Sequence, residues 1–171
     1  MPSPTLPTLT TRSGVTILVR PATPDDEAAL SAFFDAVSED DRRFRFFSAV
    51  HHVSHEQLDP LIHADHKKSE SFLAFDSASN ELIASAMLAC DAALDTGEIA
   101  VSVRNDYRGR GVGWAMLDFL GKDAEARGLR RVIAIENRAN HAAIELEREK
   151  GFTPEPFEGD HDLIILSKTF R

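Results

Sequence analysis

Cysteine is almost missing from this chain. Cys90 is the only one, so no internal disulfide can close and no cysteine-rich zinc site can form. Long apolar runs are missing as well. None approaches the ~20 residues that a bilayer-spanning helix needs, and the N-terminus has no signal-peptide core. Cationic residues are in deficit, with 19 Lys plus Arg against 28 Asp plus Glu and a formal charge of −9. That balance excludes a general nucleic-acid binder, which needs a net basic face. Together these deficits predict a cytoplasmic protein without a membrane or nucleic-acid partner. An acidic surface suits a cationic substrate, and it equally suits plain solubility. Metal-binding motifs are lacking too. His51, His52, His55, His63 and His66 cluster, and His51 and His55 have helical ligand spacing. No His-Glu-x-x-His occurs, however, and Pro and Ser interrupt the register. These histidines read as surface or substrate-side groups, and no metal is expected.

What remains is ordinary globular composition: 171 residues, 43% hydrophobic and 27% charged, enough for one domain with a substantial core. Residues 1–13 are rich in Pro, Thr and Ser and read as a flexible tail, leaving 14–171 as the domain. A strand is expected over Val15–Val19. Thr23 and Pro24 open a helix to about Val37, Ser38 caps a second through Phe47, and Ser54 caps a third to about Ala64. Ser71–Phe75 and Glu81–Cys90 read as a hairpin about the Ser77–Asn80 turn. In the second half, strands are expected at Ile99–Val103, Arg131–Ile135 and Leu163–Phe170. Helices begin after Gly111 and at Asn140, and Pro154 and Pro156 read as an irregular loop. The order implies a mixed α/β sheet with helices on both faces. Cys90, alternating with Leu88 and Ala86, reads as core, and Trp114 as packing.

The most informative stretch is Glu98–Ala126. A β-branched strand runs into Arg108-Gly109-Arg110-Gly111-Val112-Gly113, and a helix with an apolar stripe follows. Glycines let a backbone approach an anion, the first amides of a helix lack intrahelical partners, and the helix dipole is positive there. Arg108 and Arg110 add charge that can fork onto phosphate oxygens. The turn is neither a P-loop nor GxGxxG. By itself it is either an anion site or a tight connection.

Two motifs then carry a resemblance. Val103-x-x-x-Tyr107-Arg108-Gly109-x-Gly111-x-Gly113 resembles the acetyl-CoA signature of the GNAT superfamily of N-acetyltransferases. Asn140-x-x-Ala143-Ile144-x-Leu146, with Gly151-Phe152, is similar to that superfamily's next motif. The superfamily's order of elements matches the chain from about Val15 to Phe170. A looser likeness over Ser38-Glu39, Arg45-Phe46-Phe47 and Asp65 is to the bacterial protein lysine acetyltransferases that modify acyl-CoA synthetases.

The resemblance implies the GNAT fold, a mostly antiparallel sheet of six or seven strands with one splayed pair. It implies acetyl-CoA as co-substrate, its pyrophosphate on Arg108, Gly109, Arg110, Gly111, Val112 and Gly113, with Asn140 nearby. The pantetheine arm would pair with Val101, Ser102 and Val103, and an inward amide near Val101 would polarise the acetyl carbonyl. The acceptor would be a primary amine, foremost a lysine of an acyl-CoA synthetase or another protein, and the enzyme a monomer or homodimer. A lysine amine, with its pKa near ~10.4, must lose a proton before attack. Glu98, flanked by Ile99 and Ala100, is the expected base, desolvated by those neighbours. Asp65 is placed either at the amine entrance or at a helix end. Many superfamily members place a tyrosine acid where this chain has Glu147, which reads here as an exposed helix glutamate. Tyr107 packs in the preceding loop. A small-molecule acetyltransferase and a non-catalytic acyl-CoA sensor are the alternatives.

Overall fold

A computed structural model describes residues 7–48 and 50–170. The chain runs β1 (Thr8–Thr10), β2 (Thr16–Pro21), α1 (Glu27–Asp35), α2 (Glu39–Phe46), α3 (His55–Ile62), β3 (Ser69–Asp76), β4 (Leu82–Cys90) and β5 (Thr96–Val103). It continues through α4 (Val112–Ala126), β6 (Arg131–Asn137), α5 (His141–Glu149), β7 (Thr153–Pro156) and β8 (Leu163–Thr169). The strands form one sheet in the order β1-β2-β3-β4-β5-β6-β8-β7, antiparallel throughout except for the parallel pair β5–β6. This is the expected mixed α/β class, with eight strands rather than six or seven.

Two differences from expectation account for the extra strands. The tail is structured from Thr8: Thr8–Thr10 pairs with Thr16–Leu18 as an edge strand, while the start of the expected tail lies outside the described residues. The Pro154–Pro156 segment is strand β7 on the opposite edge, paired with β8. Proline is tolerated on an edge, where a missing N–H leaves no neighbour unpaired.

Strand alternation sends side chains into two cores. Phe72 and Ala74 of β3 face the layer that buries Met116, Leu117, Leu120 and Ala124 of α4. Leu73 of the same strand faces Leu30, Phe33 and Phe34 of α1 and Leu58, Leu61 and Ile62 of α3. The helices start where the sequence signals them. The Ser38 hydroxyl accepts from the Asp41 N–H at 3.1 Å, and the Ser54 hydroxyl accepts from the Gln57 N–H at 3.2 Å. Cys90 packs at the margin of the first core, and burial raises its thiol pKa. Among the described residues no helix is long and apolar enough to cross a membrane.

Candidate active site

The site is made by a sheet that fails to close. β5 and β6 pair at Thr96–Arg131, Gly97–Val132 and Glu98–Ile133, and no further. Gly97 permits the close end of this pair, since a Cβ there would meet Leu88 Cδ1 at 2.6 Å and Leu129 Cδ1 at 2.9 Å. Beyond Glu98 the strands part, β5 held by β4 as far as Val103 and β6 by β8 as far as Asn137.

Which amides face the gap follows from the ladder. The Asp91 N–H donates to the Thr96 carbonyl and the Arg104 N–H to the Ile83 carbonyl, each at 2.9 Å. In an antiparallel pair such bonds recur at alternate residues. The even-numbered residues of β5 therefore bond β4, and the backbone groups of Val101 and Val103 turn toward the gap. They form an unpaired strand edge inside the protein, able to bond an amide-rich chain as a neighbouring strand would.

The gap opens into a cavity of about 660 Å³, lined by Glu98–Val103 of β5, Arg108, Gly109, Gly111, Val112 and Gly113, and Asn140 among others. The cradle at its end has the expected form. Gly109 and Gly111 have φ of +75° and +83°, a region L side chains rarely adopt. Gly111 is the residue before α4, and no side chain caps the helix, so its first amides face outward. A Cβ at Gly113 would meet Leu146 Cδ2 at 3.2 Å, so glycine keeps this wall thin. Arg108 is half exposed and lies 3.4 Å from Asp41 of α2. These features fit a diphosphate. Arg110 is the expected residue that the structure does not bring to the cavity. Its guanidinium lies 4.7 Å from the centre of the Tyr107 ring, with Arg104 at 5.0 Å from the same ring. Tyr107 itself is buried and donates its hydroxyl to Asp76. Trp114 lines the cavity and carries Lys150 over its ring at 4.3 Å.

The carboxylates reverse two expectations. Glu98 lines the cavity but is exposed, so Ile99 and Ala100 do not desolvate it. Glu147 is the buried one, only 4% exposed. Its position follows Ala143 by four residues and Ile144 by three, which turns it under the apolar stripe of α5 rather than to water. Burial pushes the Glu147 carboxyl up to about 10, and the neighbouring Glu136 on β6 adds to the rise. Burial also raises Glu136, against its hydrogen bonds with Glu147 and Asn140 and the charge of Arg45. Asn140 joins the two elements: its Nδ2 donates to Glu136 Oε2 at 3.3 Å, and its Oδ1 accepts from the Ala143 N–H at 3.4 Å.

Glu136 and Arg45 are site residues that sequence reasoning missed. Glu136 continues the alternation of buried Val132 and Ala134, a position where a carboxylate is out of place. Arg45 sits on α2 one turn from Asp41, and both line the cavity. Burial lowers the Arg45 pKa, opposed by the charges of Glu98 and Glu136. Asp65 is absent from this cavity and accepts from the Lys67, Lys68 and Ser69 amides, closing a turn. The histidines sit against carboxylates, as in His55–Glu27 at 2.6 Å and His52–Asp35 at 3.0 Å. Of the phenylalanines on α2, Phe46 packs edge-on to Phe34 at 5.3 Å, while Phe44 and the 52% exposed Phe47 stand at the cavity.

The chain is similar to known proteins. The model of the acetyltransferase (GNAT) family matches residues 33–152. Acetyltransferase PA5475 of Pseudomonas aeruginosa is 27% identical over 151 residues, covering 87% of this chain and 81% of that protein. The crystal structure of the GNAT domain of S. lividans PAT superposes with a TM-score of 0.89 at 26% identity, covering 99% of both chains. Spermidine N-acetyltransferase of Vibrio cholerae, solved with CoA and spermine, shares the fold at a TM-score of 0.73 and 15% identity, covering 90% of this chain and 95% of that one.

Proposed function

The chain belongs to the acetyltransferase (GNAT) family, and from that premise we propose that it transfers the acetyl group of acetyl-CoA to a protein lysine by direct attack of the amine. The observation that carries this reading is the parting of β5 and β6 after Glu98 and Ile133, with a glycine cradle at the end of the resulting cavity. The cradle formed by Arg108, Gly109, Gly111, Val112 and Gly113 holds the pyrophosphate on backbone amides and one guanidinium. Val101 and Val103 hold the pantetheine arm through their gap-facing backbone groups, and the Val101 N–H polarises the carbonyl under attack. Binding both reactants in one cavity supplies most of the acceleration, through orientation.

Glu98 is the general base. It stands at the last paired residue of β5, where the strands begin to part, and its exposure lets it pass the amine's proton to water. The preference for a protein lysine over a small amine is supported by the mouth of the cavity. Phe44 and exposed Phe47 of the α2 end give an apolar rim on which a polypeptide can rest. The likeness over Ser38–Phe47 to the protein lysine acetyltransferases points the same way.

The test is thiol release from acetyl-CoA in the presence of acyl-CoA synthetases and of a panel of polyamines, amino acids and aminoglycosides. Activity on a protein lysine is the expected result. Activity on a small amine alone would replace the acceptor assignment, and CoA binding without any turnover would make the domain a sensor. Glu98→Gln lowers kcat while leaving acetyl-CoA affinity intact by calorimetry. Normal turnover of that variant from about pH 6 to about pH 9 would remove Glu98 from the mechanism.

A further inference from the structure

We propose that Glu147, paired with Glu136, is the group that protonates the sulfur of the departing coenzyme A. The inference rests on the acetyl-transfer reading above and assigns a role to two further carboxyls lining the cavity. Both carboxyls line the same cavity as Glu98 and Val101. Glu147 is 4% exposed, and its Oε1 is buried without a hydrogen-bond partner among the described residues. An unsatisfied buried oxygen of this kind is costly to keep, on the order of 1–3 kcal/mol. Glu136, by contrast, has its Oε2 engaged by Asn140 Nδ2.

Two adjacent carboxyls cannot easily both ionise in a desolvated place. Burial and the Glu136 charge hold the Glu147 carboxyl at about 10. At neutral pH Glu147 is therefore an acid with an O–H to give, and Glu136 is its neighbour on β6. Asn140 faces the pair from the start of α5, and Arg45 of α2 acts on Glu136 across the cavity, itself balanced by Glu98 of β5.

The proton balance is closed. The amine nitrogen forms the N–C bond, the C–S bond breaks, and its electron pair goes to sulfur. The Glu147 O–H passes its proton to that sulfur, giving the free thiol and a Glu147 carboxylate. Two protons leave the nitrogen through Glu98 to water, the ammonium's before attack and the newly acylated nitrogen's after it, and one proton from water restores Glu147, so one proton is released overall. A free thiol has a pKa near ~8.5, within about two units of the donor, so the transfer is matched in strength.

The titration arm reads the thiol directly and needs no acceptor, and the turnover arm uses the acceptor found in the panel assay above. CoA is bound to wild type, Glu147→Gln and Glu147→Ala, and the thiolate absorbance is followed against pH. A donor at the sulfur stabilises the thiolate, so the bound thiol titrates lower on wild type than on Glu147→Ala, by about one unit. The amide of Glu147→Gln can donate a hydrogen bond but cannot release a proton. Its thiol therefore titrates between the two, while thiol release with the amine acceptor falls on the order of 10²-fold at unchanged CoA affinity. Should Glu147→Ala fail to fold, the isosteric Glu147→Gln carries the test through this split between turnover and affinity. Identical thiol titration in all three proteins, or wild-type kcat in Glu147→Gln, overturns the assignment of Glu147 alone. Failure of wild type to bind CoA would instead remove the acetyl-transfer reading beneath it.

Discussion

Glu147 makes folding stability depend on pH in the sense opposite to that of a paired surface carboxylate. In the folded chain its carboxyl is pushed up to about 10, by burial first and by Glu136 second. In the unfolded chain a glutamate titrates near ~4.3. Between these values the native protein holds a proton that the unfolded chain has released, so stability falls as pH rises. Each unit of pH within the window is worth about 1.4 kcal/mol. From about pH 5.5 to about pH 7.5 the loss from this group is about 2.7 kcal/mol, or ~5–11 °C in Tm for a chain of this size. Glu147→Gln keeps the shape and the donor toward Glu136 and removes the titration. Calorimetric melting of both proteins across this window should give curves that diverge by that amount, the variant gaining on wild type as pH rises. The seven histidines are common to both proteins and cancel in the difference. Parallel curves would mean that Glu147 is ionised in the folded protein, and the proton-donor assignment would fall with it.

The remaining expectations are smaller and separable. Arg108→Ala should weaken CoA binding by roughly tenfold in calorimetry, the scale of one charge-assisted phosphate contact, and an unchanged Kd would remove Arg108 from the cradle. Gly111→Ala, at φ +83° and with a new Cβ 3.2 Å from Thr11 Cβ, should cost about 1–2 kcal/mol in chemical denaturation. It should weaken CoA binding as well, because the turn before α4 must shift; a neutral effect on both would contradict the left-handed turn. Asp26 titrates at about 2 instead of 3.8, held down first by its bond to Arg20 at 2.8 Å. Its contribution is present above the unfolded value and is lost as pH falls through about 2. After discounting for the partly exposed Arg20 it amounts to about 2 kcal/mol at neutral pH, and Asp26→Asn should lose that much in urea.

Legibility in the sequence depended on how local the deciding physics is. The cradle was readable because three alternating glycines beside a helix start have a backbone consequence that no distant residue can undo. Helix starts at Ser38 and Ser54 were readable for the same reason, being hydrogen bonds within four residues. The edge strands were not. Thr8–Thr10 is only three residues long and Thr153–Pro156 carries two prolines, and both exist because β2 and β8 offer an unpaired edge. The two glutamates show the intermediate case. Glu98 was expected to be desolvated by its sequence neighbours, yet in a strand those neighbours point to the other face, and only the sheet decides exposure. Glu147 was read as an ordinary surface glutamate, although its spacing from Ala143 and Ile144 already turned it inward. Arg45 reaches the cavity from a helix that ends fifty positions before β5 begins, and no local pattern could have placed it there.

The charges around the gap also explain why an amine can be captured in the form in which it is abundant. A primary amine such as the proposed lysine is an ammonium at neutral pH, whereas attack requires the neutral base. Arg45 and Arg108 are the cationic side chains lining the cavity and Asp41, Glu98 and Glu136 the acidic ones, while Glu147 holds its proton and adds no charge. The acidic side chains outnumber the cationic ones by one in a partly desolvated space, which attracts an ammonium more strongly than it would in water. Were Glu147 also ionised, the excess of acidic over cationic side chains would be two and would oppose the thiolate that forms when the C–S bond breaks. Keeping one carboxyl neutral thus serves both ends of the reaction, leaving enough charge to draw the amine in and adding none to resist the departing sulfur. The same burial that costs the fold stability at neutral pH is what keeps that proton in place.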